Sequence, residues 1–128
     1  MILVDTSVWI AALRSGAGPE ANQLRTLLDA DEVAMAAPVR VEILTGASNK
    51  DRPLLRNLLS AIPLLYPTTA TWERIDSWLD RAGKAGKHFG FADLLIASIA
   101  IEWKAPVWSL DKDFARMGRL GLISIHRF

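Results

Sequence analysis

The chain has 128 residues, the length of one domain, and its 51% hydrophobic and 23% charged residues are typical of a folded protein. It has no cysteine and only two histidines, His88 and His126. Disulfides, thiolate zinc sites, iron–sulfur clusters, cysteine nucleophiles and sites built from several histidines are therefore excluded. Any metal site must rely mainly on carboxylates, which favours hard cations such as Mg²⁺ or Mn²⁺.

The charge and the apolar stretches restrict the class of protein further. Fifteen Lys and Arg against fourteen Asp and Glu leave a net charge of +1, which excludes a strongly basic protein that coats nucleic acid. The segment from Met1 to Asp5 has an acid where a signal peptide has basic residues. The most apolar later stretch, 94–101, is far too short to span a bilayer. We expect a soluble, cytoplasmic protein without membrane association, folded as one domain over residues 1–128.

Short apolar runs alternate with helical patterns in the first half of the chain. Residues 2–4 predict a strand buried on both faces, and Asp5, Thr6 and Ser7 offer capping side chains to a helix after it. A helix over 20–28, a strand over 32–36 and a helix over 39–44 follow. Another helix starts at Pro53 and is expected to face the core with Leu54, Leu55, Leu58, Leu59 and Ile62.

The second half continues the alternation. The longest helical pattern covers 68–82, with Trp72 and Trp78 on different faces, and a glycine-rich basic loop covers 83–90. Further along, the pattern predicts a helix over 91–103, a strand over 105–110, a short helix over 111–117 and a last strand over 121–125. Strands separated by helices predict an α/β fold in which a mostly parallel central sheet carries helices on both faces.

Five of the fourteen acids stand in apolar or strand-end positions rather than on predicted solvated surface. Asp5 ends the first strand, and Asp111 and Asp113 follow a late strand. The carboxyl ends of parallel strands are where chemistry collects in open α/β sheets. Each of these three residues would also serve as a helix cap or a first-turn acid, so the structural role stays open beside the functional one.

The other two acids lie on predicted helices. Asp93 shares a helix stripe with apolar residues three, four and seven positions later, and a carboxylate there is costly unless it is paired or binds a cation. Glu42 follows Pro38 by about one turn and fits a surface position equally well. Carboxylates that converge repel one another without cations. With Mg²⁺ they form a site for phosphodiester hydrolysis, because the metal lowers the pKa of a water and neutralises phosphate charge.

Four segments in order, MILVDTSVWI, VEILTG, FADLLIA and LDKDF, resemble the PIN-domain ribonucleases over essentially the whole chain. The greatest likeness is to the VapC toxins of type II toxin–antitoxin pairs. The resemblance implies a three-layer α/β/α sandwich, an acidic Mg²⁺ or Mn²⁺ site and endonuclease action on RNA. It also implies a small antitoxin as partner and a toxin homodimer.

The resemblance assigns roles by motif position. Asp5, Glu42 and Asp93 match the first three acids, and either Asp111 or Asp113 matches the fourth. The supporting polar positions of the family fall on Thr6, Ser7 and Ser109.

Six basic residues are candidate RNA contacts. Lys84 and Lys87 lie in the loop before Asp93, where we expect them to guide RNA. Four others lie close in sequence to the acids and either contact phosphate or balance the acidic cluster: Arg14, Arg40, Lys112 and Arg116.

Three alternatives to a metal-dependent endoribonuclease fit the sequence less well. A receiver-like signalling module also has an acidic Mg²⁺ pocket, but it needs paired acids after the first strand, where this chain has Asp5 and Thr6. A phosphatase of the Asp-x-Asp type needs a second acid at position 7, which is Ser7. An inactive PIN scaffold that only binds partners is disfavoured by the complete set of acids.

Overall fold

The computed structural model describes all residues from Met1 to Phe128 and contains seven helices and four short strands. Two helices follow each of the first three strands, and one helix follows the last. The strands are β1 (Ile2–Val4), β2 (Val33–Ala36), β3 (Leu64–Leu65) and β4 (Val107–Trp108). The helices are α1 (Thr6–Arg14), α2 (Pro19–Asp29), α3 (Ala37–Gly46), α4 (Arg52–Leu59), α5 (Thr69–Lys84), α6 (Phe91–Glu102) and α7 (Lys112–Arg119).

The four strands form one parallel sheet in the order β3-β2-β1-β4, which confirms the predicted α/β architecture. β1 is fully buried because strands flank it on both sides and helices cover the sheet. Val4 pairs with Trp108, so the next residues, Asp5 and Ser109, leave the sheet side by side. This register brings residues from early and late in the sequence, Asp5 and Ser109, to the same edge of the sheet.

Helix α6 forms the centre of one helical layer. Its residues from Leu94 to Ala100 are all buried, and it packs against α3, α5, α7 and β2. A helix that is apolar all round belongs inside the protein, and the sequence has the composition for this. Asp93 stands at the start of this buried run, in the first helical turn.

The late part of the sheet is smaller than the sequence predicts. The strand expected over 105–110 is reduced to Val107–Trp108, and the strand expected over 121–125 is wrong, since only a single bridge joins Ile125 to Val107. Gly121 turns the chain with a φ of +74°, so the following segment meets β4 only briefly. The short strand β3 was not predicted, because two leucines give no recognisable period.

Helix α4 faces the core with fewer residues than expected. Leu59 is buried, but Leu54 and Leu58 are 64% and 61% exposed, which corrects the prediction that all its leucines pack inward. Between α1, α2 and α4 lies an apolar groove of about 540 Å³, lined by residues that include Trp9, Leu28, Leu55, Leu58 and Pro63. The buried indole N–H of Trp9 has no hydrogen-bond partner.

Helix α5 is fastened to α6 by a carboxylate that the sequence pattern placed on the solvated surface. Glu102 accepts hydrogen bonds from the hydroxyls of Thr68 (2.7 Å) and Thr71 (2.6 Å) and lies 3.7 Å from the guanidinium of Arg74. The Thr71 bond, the Thr68 bond and Arg74 lower the pKa of Glu102. Glu102 therefore joins the start of α5 to the end of α6.

Trp72 and Trp78 do occupy different faces of α5, as expected: Trp78 is buried and Trp72 is exposed. The helix runs on to Lys84, so the predicted glycine-rich loop is confined to 85–90. None of the helices combines the length and the apolar character needed to cross a membrane.

Candidate active site

Asp5 is a buried carboxylate at the carboxyl end of the central strand. Its Oδ2 accepts hydrogen bonds from the Ser7 hydroxyl (2.8 Å), the Ser7 backbone N–H (3.3 Å) and the Ser109 hydroxyl (2.7 Å). Asp5 therefore caps α1, and this structural role is compatible with the functional role predicted for it. Its Oδ1 accepts none of these bonds.

The hydroxyls of Ser7 and Ser109 also hold the turn that follows β4. Ser7 Oγ accepts from the backbone N–H of Leu110, and Ser109 Oγ accepts from that of Asp111, both at 3.0 Å. Because the two strand ends are neighbours in the sheet, these bonds cross from one end to the other. They place Asp111 at the same edge as Asp5.

Thr6 links helix α1 to the candidate acid on helix α3. Its hydroxyl, on the first residue of α1, donates to Glu42 Oε1 at 2.8 Å. Glu42 projects from α3 and is exposed, so its carboxylate is held by Thr6 while remaining open to solvent. Glu42 and Arg14 line a shared small groove between α1 and α3.

The Asp-x-Asp element begins the last helix. Asp111 caps α7 by accepting from the backbone N–H of Asp113 at 2.9 Å. Asp113 accepts from Arg116, one turn later, at 2.8 Å. Arg116 therefore pairs with an acid of the site, which fits the balancing role, and its contact with phosphate stays a prediction.

Asp93, Asp111 and Asp113 each bring a carboxylate oxygen to within 4.8 Å of the others. The pKa of Asp93 is raised from 3.8 to about 6, first by burial and then by the negative charges of Asp111, Asp5, Asp113 and Glu42. The other four predicted acids therefore lie close enough to Asp93 for their charges to affect its pKa. Among them only Asp113 has an ion-pair partner.

The donor set fits a hard divalent cation. Every candidate ligand is a carboxylate oxygen, and Mg²⁺ and Mn²⁺ are bound by such oxygens rather than by nitrogen or sulfur. A cation at this position would offset the repulsion that raises the pKa of Asp93. Asp93, Asp111 and Asp113 are close enough to share one ion, with Asp5 and Glu42 beside them.

The remaining basic candidates make no ion pair with the acids of the site. Arg14, Lys84, Lys87 and Lys112 are exposed and make no ion pair, whereas Arg40 is half-buried. Lys84 ends α5 and Lys87 lies in the loop before α6. Arg40 lines a different cavity, beside Tyr66.

This arrangement agrees with comparisons to known proteins. The family model of the PIN domain matches residues 2–120. Ribonuclease VapC11 of Mycobacterium tuberculosis is 34% identical over 125 residues, covering 94% of this chain and 93% of the relative.

Solved structures share the fold. VapBC2 from Rickettsia felis, bound to a DNA fragment from its promoter, has a TM-score of 0.80 at 20% identity and covers 100% of this chain and 99% of that chain. VapBC-5 of the VapBC family of toxin–antitoxin systems, from Mycobacterium tuberculosis, has a TM-score of 0.71 at 22% identity and covers 99% and 98%.

The fold and the acidic site at the carboxyl ends of the strands are those of a PIN domain, and the chain belongs to the PIN domain family. Within that family it is a VapC-type member. The membership confirms the resemblance seen in the four sequence segments and removes the receiver-like and phosphatase alternatives.

Proposed function

We propose that this protein is an endoribonuclease that hydrolyses RNA phosphodiester bonds with Mg²⁺, or Mn²⁺ in its place, and acts as the toxin of a toxin–antitoxin pair. The supporting observation is the gathering of carboxylates at one edge of the sheet, where Asp93, Asp111 and Asp113 bring oxygens to within 4.8 Å of one another. Burial and then the charges of the other four acids raise the pKa of Asp93. The relative at 34% identity is named a ribonuclease.

In the proposed mechanism, Asp93, Asp111 and Asp113 would hold the cation, with the carboxylate of Asp5 beside them, and Ser7 and Ser109 bind Oδ2 of Asp5 but not its Oδ1. When bound, the cation supplies positive charge that lowers the pKa of a water and neutralises the scissile phosphate. Ser7 and Ser109 keep Asp5 in a single orientation, and Thr6 does the same for Glu42. Arg116 orients Asp113.

The test is cleavage of RNA by the purified protein. We expect cleavage with Mg²⁺ and its loss with EDTA, in Asp5→Asn and in Asp93→Asn, since each change removes the cation or one of its ligands. Asp76→Asn, an exposed acid on α5, serves as the matched control and is expected to cleave normally.

Two outcomes would contradict the proposal. Cleavage that survives EDTA and both substitutions would exclude the metal mechanism. A folded wild-type protein that binds Mg²⁺ but cleaves no RNA would instead favour the inactive PIN scaffold.

The basic residues outside the acid cluster are proposed to guide the RNA backbone. Lys84 and Lys87 are exposed and unpaired beside the start of the Asp93 helix. Replacing both with alanine is expected to weaken RNA binding and to flatten its salt dependence, because fewer counterions are released. Arg25→Ala, a change on α2, is the control, and an unchanged salt slope in the double variant would place the loop outside the RNA path.

The antitoxin is proposed to cover the apolar groove between α1, α2 and α4. The groove exposes Leu58 to solvent and is lined mainly by apolar side chains, Trp9 and Leu55 among them, so it suits an apolar segment. We expect Leu58→Glu to weaken binding of the small protein encoded beside this gene. Unchanged affinity, measured by calorimetry, would place the antitoxin elsewhere. A toxin homodimer remains a prediction, checked by sedimentation.

A further inference from the structure

The last part of the chain carries positive charge that the near-neutral total conceals. Asp113 is the last acid in the sequence, and the segment 114–128 after it has three arginines: Arg116, Arg119 and Arg127. Residues 1–113 have twelve Lys and Arg against fourteen Asp and Glu, so that longer part of the chain is net negative. Helix α7 and the segment after it therefore differ in charge from the rest of the protein.

Three basic side chains share the solvent-facing side of α7. Lys112, Arg116 and Arg119 are spaced by four and then three residues, which places them in one row along the helix, and all three are exposed. Arg116 donates to Asp113 at 2.8 Å, so the row begins in direct contact with the acidic site. We call Lys112, Arg116 and Arg119 the basic row.

The basic row ends at a cavity of about 300 Å³ between α7 and the segment after it. Arg119 and Arg127 line this cavity together with apolar side chains that include Ile125, and none of the lining residues is acidic. The two walls approach closely because residue 118 is glycine, where a Cβ would lie 2.8 Å from Ile125 Cγ1. Neither arginine forms an ion pair. We call this space the arginine cavity.

Two guanidinium groups that line one cavity without an acid are suited to an anion. Their like charges repel each other, and an anion between them would replace that repulsion by attraction to both. The planar fork of each guanidinium matches the oxygens of a phosphate and can donate two parallel hydrogen bonds. Arg119 and Arg127 come from different segments, so a single phosphate group would be held from two sides.

The basic row connects the arginine cavity to the acidic site. From Asp111 to Arg119 helix α7 advances about 12 Å along its axis, a distance that a few nucleotides cover. A strand with one phosphate at the acids would therefore pass Arg116 and reach the cavity with a later phosphate. A free phosphate ion would be bound by the same two guanidiniums, but it would need no row of cations that begins at the acids.

We propose that the arginine cavity of Arg119 and Arg127 binds a backbone phosphate of the RNA strand, several nucleotides to one side of the bond that is cut. This inference rests on the proposed ribonuclease function and adds to it a second contact with the strand, outside the acidic site. Arg119 and Arg127 position the strand and take no part in bond breaking.

The first test measures RNA affinity and its salt dependence in the full-length Asp5→Asn protein, the parent, in which bound RNA is expected to stay intact. The probe is a single-stranded RNA of about 12 nucleotides. Replacing both Arg119 and Arg127 with glutamine is expected to raise the Kd about tenfold. The slope of log affinity against log salt should fall by about 0.7, the value for one lost phosphate contact.

Matched variants separate this contact from general charge effects. Arg25→Gln combined with Arg56→Gln removes the same charge from exposed arginines on α2 and α4, and is expected to stay close to the parent in affinity and slope. Arg119→Lys keeps the charge but loses the fork, so it should lose part of the affinity with little change in slope. Equal losses in the two double variants would overturn the inference.

A series of RNAs with one uncharged methylphosphonate linkage at successive positions locates the bound phosphate. One linkage, several nucleotides from the cleaved bond, is expected to weaken binding to the parent. The same linkage should cause no further loss in the double variant of Arg119 and Arg127, because the contact is then already absent. An equal loss at every linkage, or a loss that is the same in the parent and the double variant, would overturn the inference.

Inorganic phosphate and the antitoxin test the other occupants of the arginine cavity. If inorganic phosphate raises the melting temperature of the parent but not of the double variant, while both bind RNA equally, the cavity holds a free phosphate and the inference is wrong. It is also wrong if the double variant binds RNA as the parent does and loses affinity only for the antitoxin.

Failure of this inference is distinguishable from failure of the proposed function. Cleavage of RNA by the wild-type protein with Mg²⁺ reports the function alone. If the wild type cleaves and the double variant with Asp5 intact cleaves with unchanged KM, the protein is a ribonuclease whose strand does not reach the arginine cavity. The linkage series measures binding, so it reports on the cavity even if no cleavage occurs.

Discussion

Asp5 and Asp111 each use one carboxylate oxygen for a helix cap and leave the other oxygen free of that cap. Asp5 caps α1 with Oδ2 and leaves Oδ1 free, and Asp111 caps α7 with Oδ1. A helix N-terminus offers backbone N–H groups that stabilise negative charge, so an acid that is also a candidate metal ligand is stable there. The cap and the ligand readings of such residues in a sequence are therefore not alternatives.

Asp93 is expected to destabilise the protein when no divalent cation is bound. Because its pKa is raised to about 6 in the folded state, that state binds the proton more strongly than the unfolded chain, and stability falls as pH rises from about 4 to about 6. Asp93→Asn should therefore be more stable than wild type at pH 7 by about 1–2 kcal/mol, after allowance for partial exposure.

The measurement is urea unfolding in EDTA at several pH values. The stability difference between Asp93→Asn and wild type is expected to vanish below about pH 4, where the carboxyl is protonated in both states. Asp76→Asn, at an exposed position, is the matched control. A difference that is independent of pH would show that packing, rather than charge, is responsible.

Strand ends and an apolar helix stripe single out four of the five candidate acids, and the family resemblance adds Glu42, but the sequence does not predict how these carboxylates are held. The contacts of Ser7 and Ser109 with Asp5 depend on the pairing of β1 with β4, and those strands are about a hundred residues apart. For Arg116 the sequence predicts either phosphate contact or charge balance, and the structure pairs it with Asp113. Long-range register is the information that local patterns lack.

At the scale of elements, prediction succeeds where a segment is long and periodic and fails where tertiary packing decides. Helices α5 and α6 are close to their predicted bounds. The two-residue strand β3 and the single bridge of Ile125 are too short to leave a period in the sequence. Helix α4 misleads because its leucines share one face, but only Leu59 is buried, and the open groove beside the helix leaves Leu58 exposed.

Two glycines in helices are expected to respond oppositely to alanine. A Cβ on Gly118 in α7 would lie 2.8 Å from Ile125 Cγ1, whereas a Cβ on Gly83 in α5 meets nothing within 4 Å. Gly118→Ala is expected to lower the free energy of unfolding by about 1–3 kcal/mol through overpacking. Gly83→Ala is expected to raise it by about 0.4–1 kcal/mol by restricting the unfolded chain.

Denaturant melts of the two glycine variants, each compared with wild type, measure both effects. Since the substitution is the same, general effects of alanine on helices cancel in the comparison. Equal shifts in the two variants would mean that α7 does not approach Ile125 this closely in solution.

The joint between α5 and α6 is expected to weaken in acid. Glu102 has a lowered pKa in the folded state, so its contribution to stability is present above its unfolded pKa and is lost as pH falls through the folded value. Glu102→Ala should lower the melting temperature by several degrees at pH 7, because the Thr68 and Thr71 hydroxyls lose their acceptor. In acid the variant and wild type should converge, whereas Glu73→Ala, an exposed change on α5, should have little effect at either pH.

For the whole molecule, the gathered acids predict that divalent cations stabilise the fold. An ion that binds only the folded state adds about 1.4 kcal/mol at ten times its Kd, and Mg²⁺ should therefore raise the melting temperature in a saturable way. Asp93→Asn should lose most of this response. NaCl at equal ionic strength is the control, because simple screening also relieves repulsion, and an equal rise with NaCl would exclude a specific ion.

The position of β1 in the middle of the sheet has a consequence for the timing of synthesis. Asp5 emerges from the ribosome early, but its partner Ser109 follows 104 residues later. Until that segment emerges and β4 adds to β1, Asp5 has only local contacts, and neither Asp111 nor Asp113 exists. A nascent chain therefore has no assembled acidic cluster until the segment that follows β4 has been made, so any activity of the cluster begins only after that point.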